Sequence, residues 1–179
     1  MGKMLFLAMA GLAAGMLSGC GGEKKDTNII APKIVRKAVS APVRMQEYTQ
    51  TREIEWGGGR MLSEIHRMAD DSLAMVSDEA GQKFVDNRIR LVVRRADGSV
   101  LLERMFTKND FSAYLDDDYR KTGILEGLVF DKVDGGVLKF AASVCHPQTD
   151  EYIPLVVSVS RAGNVSIARD TQMDINSEE

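Results

Sequence analysis

Cysteine and histidine are scarce in this chain, and their scarcity excludes several kinds of site. The 179 residues contain two cysteines, Cys20 and Cys145, and two histidines, His66 and His146. Two histidines cannot form a three-histidine catalytic zinc site, and two cysteines permit at most one intrachain disulfide. The sequence also lacks the His-Glu-x-x-His, Gly-x-Ser-x-Gly, phosphate-loop and paired-cysteine motifs. We therefore predict no metal and no cofactor, although a metal site with mixed ligands stays open.

Long hydrophobic runs are also missing. An apolar segment of 14 residues, 4–17, follows Lys3, whereas a transmembrane helix needs about 20 residues. This length and the preceding basic residue are typical of a signal peptide. The small residues Ser18 and Gly19 then lead into Cys20, and the stretch resembles the lipobox of bacterial lipoproteins, in which the cysteine becomes the acylated first residue. We predict a lipoprotein signal peptide at 1–19 and lipid attachment at Cys20. A cleaved secretory signal with an incidental cysteine is the alternative.

Residues 20–42 are predicted to form a flexible tether, because they contain glycines and prolines and show no apolar periodicity. The tether carries five basic and two acidic residues, whereas the chain from residue 43 onward carries 17 basic and 24 acidic residues, a net charge of −7. A protein that binds nucleic-acid phosphates needs a positive surface, so no nucleic-acid partner is predicted. If Cys20 carries lipid, Cys145 is the only thiol left and no intrachain disulfide can form.

The remaining sequence is dominated by short runs that are typical of β-strands. They lie at 47–56, 60–68, 87–95, 100–107, 124–133, 137–145, 152–160 and 165–169. The glycines at 57–59 and the pair Asp97-Gly98 predict hairpins. We predict a mainly β fold, an antiparallel β-sandwich or barrel-like sheet with one short helix. It forms a single domain at 43–170, followed by a disordered tail at 171–179.

The short helix is predicted between the fourth and fifth runs, with Thr107 as its cap and Gly123 as its end. The sequence predicts which side chains of 87–95 face the core, because Ile89, Leu91 and Val93 alternate with arginines. For 100–107 the buried face stays open, because the apolar residues of this run fall on both faces. The acid-rich segment 69–82 has no clear periodicity and is predicted to be a mobile surface loop.

The neighbours Cys145 and His146 suggest a nucleophile and its base. If the strand continues through both residues, their side chains leave opposite faces of the sheet, so the base would have to be His66. Nothing in the sequence brings His66 to Cys145. We therefore interpret Cys145 as a buried packing residue at a strand end and His146 with Pro147 as the start of a turn.

The densest acidic cluster is formed by Asp116, Asp117 and Asp118. A calcium loop would need oxygen ligands at alternating positions and a distal acid, and the residues after Asp118 do not supply them. We interpret these aspartates as solvated surface groups. A pair of carboxylates from this cluster and Glu126 stays open as a catalytic acid and base.

Two blocks of the sequence, at 114–136 and 140–161, resemble an uncharacterised lipoprotein family of Bacteroides and its relatives, a domain of unknown function. The resemblance extends over about residues 56–169 and implies a Gram-negative cell envelope. It implies no reaction and no site residues. Because the residue after Cys20 is Gly21 rather than aspartate, the resemblance to lipoproteins favours the outer membrane, on a face that stays open.

Two hypotheses follow for function. The first is a binding or structural module, attached to the membrane through its lipid, that engages a protein, peptide or glycan. The second is an envelope hydrolase that uses Cys145 or an acidic pair among Asp116, Asp117, Asp118 and Glu126. The second requires these groups to meet in one concave site.

Overall fold

The computed structural model describes residues 40–171. The predicted signal peptide at 1–19, the lipid attachment residue Cys20, the tether up to residue 39 and the tail from residue 172 lie outside the described residues. Among residues 40–171, no helix is both long enough and apolar enough to cross a membrane.

Ten strands and two short helices make up the described part of the chain. In chain order the strands are β1 (Tyr48–Trp56), β2 (Gly59–Ala69), β3 (Val76–Ser77), β4 (Lys83–Phe84), β5 (Asn87–Arg95), β6 (Val100–Phe106), β7 (Ile124–Asp134), β8 (Val137–Cys145), β9 (Tyr152–Val159) and β10 (Val165–Arg169). A 3-10 helix, Lys108–Tyr114, and helix α1, Asp117–Thr122, lie between β6 and β7.

The strands form two large antiparallel sheets and one small sheet. The first large sheet has the order β1-β2-β5-β6, the second has the order β10-β9-β8-β7, and β3 pairs with β4. Within residues 40–171 neither large sheet closes into a barrel. The prediction of a mainly β, antiparallel fold is therefore confirmed in its two-sheet form.

Tight turns connect β1 to β2 and β5 to β6 in the first sheet. Gly57 and Gly58 both have positive φ, 64° and 82°, and they connect Trp56 to its cross-strand partner Gly59. Both central residues of this turn need the left-handed region, which glycine enters without steric cost. At the other predicted hairpin, Asp97 Oδ1 accepts a hydrogen bond of 2.9 Å from the Ser99 amide. Both hairpin predictions are confirmed.

One hydrophobic core lies between the two large sheets. Ile65 and Leu91 from the first sheet and Leu128 and Phe140 from the second are all at most 1% exposed. Phe111 of the 3-10 helix packs into the same core. Burying each such side chain contributes about 1.5–3 kcal/mol relative to leaving it in water, so this layer supplies the main stabilisation of the fold.

The register that the sequence left open, in β6, is set by a β-bulge. Val93 pairs with Leu102, but the next residue of β5, Arg94, pairs with Val100, so Leu101 is the extra residue. The bulge lets Leu101 and Leu102 both pack against the core, although they are neighbours in sequence.

The predicted single helix is two helices. The 3-10 helix starts where Asp110 Oδ2 accepts a 2.9 Å hydrogen bond from the Thr107 amide. Leu115 and Asp116 then adopt extended conformations, and Asp116 is the N-cap of α1. Aspartate favours such a cap over a helix interior, so the chain restarts there. Gly123 ends α1 as predicted.

The predicted loop at 69–82 contains strand β3, which the sequence analysis did not identify. Val76 is 3% exposed and packs with Phe84, Ile124 and Cys145 in a second, smaller core. Val43 adds to this region through a parallel bridge to Phe84. The segment is therefore attached to the rest of the fold by burial at its centre.

Two side chains of the first sheet, and Asp86 just before β5, form hydrogen bonds with the edge of β7 that is not paired with β8. Asp86 Oδ1 accepts a hydrogen bond of 2.8 Å from the Leu125 amide, and the Asn87 side-chain amide donates one of 2.8 Å to the Leu125 carbonyl. Tyr48 donates its hydroxyl to the Leu128 carbonyl at 3.2 Å. These bonds satisfy backbone groups that β8 does not reach and join the two sheets.

Candidate functional site

A cleft of about 570 Å³ lies where three segments meet at one end of the fold. Its walls are the turn between β3 and β4, helix α1, and the loop at 146–151 that connects β8 to β9. The lining residues are Ser77, Asp78, Glu79, Ala80, Asp118, Thr122, His146, Pro147, Gln148, Thr149 and Glu151. Because the segments are distant in sequence, the cleft exists only in the folded chain.

His146 forms the contact between α1 and the loop. Its Nδ1 lies 3.1 Å from Glu151 Oε2 and forms a hydrogen bond with it. Its Nε2 lies 3.1 Å from Asp118 Oδ2, within ion-pair distance but without hydrogen-bond geometry, and this nitrogen is buried without a hydrogen-bond partner. The imidazole is therefore flanked by a carboxylate at each nitrogen.

Tyr119 supports the imidazole from α1. The two rings stack with centroids 4.0 Å apart and planes inclined by 19°. Burial raises the pKa of the Tyr119 hydroxyl, and the nearby carboxylates Glu151, Asp118 and Asp116 raise it further. The hydroxyl therefore keeps its proton at neutral pH, and Tyr119 is an uncharged aromatic support for the His146 ring.

The cleft is negatively charged. Four of its lining residues are acidic, and its lining contains neither lysine nor arginine. The carboxylates of Asp118 and Glu151 are 69% and 72% exposed, so they are accessible to a ligand from solvent. Asp78 is held in place because its Oδ1 accepts a 2.9 Å hydrogen bond from the Gln82 amide. Such an arrangement attracts cations.

The structure separates the acidic residues that the sequence analysis singled out. Asp116 pairs with Arg169 at 3.4 Å, Asp117 pairs with Arg120, and Asp118 faces His146. A hydrogen bond to the Arg120 guanidinium holds the pKa of Asp117 below its ordinary value. Of the three, only Asp118 lines the cleft. The cluster is thus divided among three partners.

Glu126, the fourth candidate, lies in a separate pocket of about 250 Å³ with Cys145. Its Oε2 accepts a hydrogen bond of 2.9 Å from the Ser143 hydroxyl. Neither Glu126 nor Cys145 lines the cleft around His146. An acid and base pair between Glu126 and the aspartates is therefore not favoured by this arrangement.

Cys145 ends β8 and is buried, as predicted. Burial raises the pKa of its thiol to about 12, and the charge of Glu126 adds to the effect. A thiol in this state is protonated at neutral pH and is a poor nucleophile. His66 points elsewhere, because its Nε2 lies 2.6 Å from Glu47 Oε1 on the outer face of the first sheet. The geometry favours packing over catalysis for Cys145.

Among residues 40–171, no group of three or more histidine, cysteine, aspartate or glutamate side chains is arranged to hold a metal ion. Asp118, His146 and Glu151 line the cleft together, with Glu151 hydrogen-bonded to the imidazole and Asp118 within ion-pair distance of it.

Comparison with known proteins gives a family. Residues 29–167 match the family described as "Domain of unknown function (DUF4738)". The match covers most of the chain, and the chain belongs to this family. A search of the curated proteins finds no match. The family assignment agrees with the predicted resemblance to a domain of unknown function, and its boundaries include part of the predicted tether.

The sequence analysis missed the cleft and the partners of His146. His146 and Glu151 are five positions apart in a turn-forming stretch, which is a local signal that could have paired them. Asp118 and Tyr119 are more than 25 positions upstream, and only the tertiary fold brings α1 to the imidazole in the loop after β8. No pattern in a single sequence contains that contact.

Proposed function

We propose that this chain is a lipid-anchored lipoprotein of the Gram-negative cell envelope and that its β domain is a binding module. The proposal of an anchor is supported by the sequence at 4–20, where an apolar run and small residues lead directly into Cys20. The proposal of a binding module is carried by the cleft around His146, which is open to solvent and lined by acidic side chains.

The proposed anchor is a thioether between Cys20 and diacylglycerol, with a further acyl group on the new amino terminus. Each buried methylene contributes about 0.8 kcal/mol, and a single acyl chain binds only reversibly, so several chains are needed for a stable anchor. Gly21 favours the outer membrane, and the proposal covers its periplasmic and outer faces alike. No nucleic-acid partner is proposed.

The ligand that suits the cleft is a cationic segment of a protein or peptide. Two unit charges 4 Å apart attract by about 1 kcal/mol in bulk water and by about 4 kcal/mol at the effective dielectric of a protein surface. Lysine and arginine side chains would be attracted to the acidic walls with energies in this range. A neutral glycan would have to derive its affinity from hydrogen bonds and ring stacking instead.

Intact-mass measurement of the protein from a Gram-negative host tests the anchor. We expect a mass increase that corresponds to acylation at Cys20, together with partitioning into the detergent phase. Both should disappear in Cys20→Ser. Cys145→Ser is the matched control, because that thiol is buried in the β domain. A native protein with an intact leader, or with an unmodified thiol at residue 20, would contradict the anchor.

Binding of fluorescent pentalysine to the full chain in detergent micelles tests the cleft. We expect saturable binding that weakens as salt rises and that falls about tenfold or more in the double variant Asp118→Asn, Glu151→Gln. The control variant is Glu53→Gln, Glu55→Gln, which removes the same charge from exposed residues beside Arg60. Equal losses in both variants would mean that net charge alone, and not the cleft, binds the peptide.

A further inference from the structure

His146 connects two walls of the cleft that share no backbone hydrogen bonds with each other. Asp118 lies on α1, Glu151 lies on the loop, and each has a carboxylate oxygen 3.1 Å from one imidazole nitrogen. The stacked Tyr119 ring covers one face of the imidazole. The contact between the two walls therefore depends on which of the two imidazole nitrogens carries a proton.

A neutral imidazole cannot satisfy both carboxylates. It has one N–H donor and one lone pair, whereas an ionised carboxylate only accepts hydrogen bonds. One carboxylate therefore faces a lone pair whenever His146 is neutral. The imidazolium form has a positive charge and a donor at each nitrogen, so it can donate a hydrogen bond to Glu151 and form an ion pair with Asp118 at the same time.

We infer that His146 is a proton-operated clamp on the cleft: its imidazolium, hydrogen-bonded to Glu151 within the loop, attracts Asp118 on α1, and proton loss leaves the charge of both carboxylates to a cationic ligand. This inference rests on the proposed binding function for its ligand. The clamp itself is a property of the free protein. Proton and ligand compete for the same two carboxylates, so the affinity for a cation rises with pH.

Other titratable groups face the same space. Asp78 and Glu79 lie on the turn across the cleft, Tyr119 lies beside the ring, and Cys145 precedes it in the chain. Tyr119 and Cys145 both have raised pKa values, so they keep their protons at neutral pH. Carboxyl groups titrate ordinarily near pH 4 and histidine near 6.5. A comparison between about pH 5.5 and pH 8 therefore changes mainly the charge on histidine.

Amide hydrogen exchange of the full chain in detergent micelles tests the clamp without any ligand. After correction for the intrinsic pH dependence of exchange, we expect residues 146–151 and 117–122 to be about 1.5- to fivefold better protected at the lower pH, the range for partly exposed ion pairs. His146→Gln should abolish this difference, and Asp118→Asn should reduce it. His66→Gln is the matched control, because His66 pairs with Glu47 outside the cleft. An unchanged pH dependence in His146→Gln overturns the clamp.

Pentalysine binding separates the clamp from the binding function. We expect binding to strengthen by up to about tenfold per pH unit across the titration of one competing proton, and to be pH-independent in His146→Gln. Binding that is equally strong at both pH values overturns the competition and leaves the binding module standing. Absence of binding at both pH values overturns the cationic ligand, whereas the exchange measurement still decides whether the clamp exists.

Discussion

The buried carboxylate of Asp86 joins three parts of the fold, and its replacement tests how the two sheets are held together. Its carboxylate is 5% exposed and sits directly before β5. One oxygen accepts hydrogen bonds of 2.8 Å from the amides of Asn87 and Leu125, and the other lies 3.6 Å from Lys108 Nζ. The side chain therefore connects the first sheet, the 3-10 helix and the edge of β7.

Replacing Asp86 with alanine leaves two amides without their acceptor. Each buried, unsatisfied donor costs about 1–3 kcal/mol. Lys108 keeps its 2.6 Å hydrogen bond to the Gly123 carbonyl, but it loses its counter-ion. We expect Asp86→Ala to lower the free energy of unfolding by about 3–5 kcal/mol, a large part of the about 5–15 kcal/mol that ordinary domains have.

Urea unfolding measures this change, provided that the slope of the free energy against urea stays the same in both proteins. Asp86→Asn is the informative control, because its side-chain oxygen can still accept both amide hydrogen bonds. We expect it to cost about 2 kcal/mol less than Asp86→Ala, because it removes the counter-ion of Lys108 but keeps an acceptor for both amides. If Asp86→Ala cost less than about 1 kcal/mol, or no more than Asp86→Asn, the two amide bonds could not be what joins the sheets.

Three further changes test other features of the fold. Burial raises the pKa of Asp86 above its unfolded value, so the fold favours the protonated form and this group's contribution to stability falls as pH rises through that range. The cost of Asp86→Asn, followed by urea unfolding, should therefore shrink from about pH 4 upward, and a growing cost would show that the ion pair outweighs burial. Gly123→Ala should cost about 1–3 kcal/mol in the same assay, because the new Cβ would lie 2.7 Å from the Tyr119 carbonyl. Its control is Gly58→Ser, where positive φ rather than crowding is the obstacle. In the Cys20→Ser variant, Cys145, with a pKa of about 12, should resist alkylation at neutral pH until urea unfolds the chain, and rapid labelling of the native variant would show an open site.

Strands were predictable where alternation and turn residues agreed. The predicted bounds of β5, β8 and β10 are those of the structure, since each lies between glycine-containing or polar turns. Asp97-Gly98 identified its hairpin because glycine is the residue that a tight turn of this kind requires. These signals are local, and a single sequence contains them.

Other features depend on partners that are distant in sequence. Strands β3 and β4 have two residues each, and they exist because Val76 and Phe84 are buried against Ile124. The bulge at Leu101 is set by the core that it fills, and no local propensity specifies it. The cleft needs α1 beside β8, so its acidic walls could be noticed in the sequence as charged runs but not assembled into one site.

The hydrogen bonds that Asp86, Asn87 and Tyr48 make to β7 have a consequence for association between copies of this protein. An uncovered strand edge can template a strand from another chain and so start aggregation. On β7 the backbone groups of Leu125 and Leu128 are already hydrogen-bonded to these side chains. A strand from another chain can pair there only by displacing them. Resistance to aggregation at this edge is therefore encoded partly in side chains outside the strand, and a variant such as Asn87→Ala would weaken it without changing β7 itself.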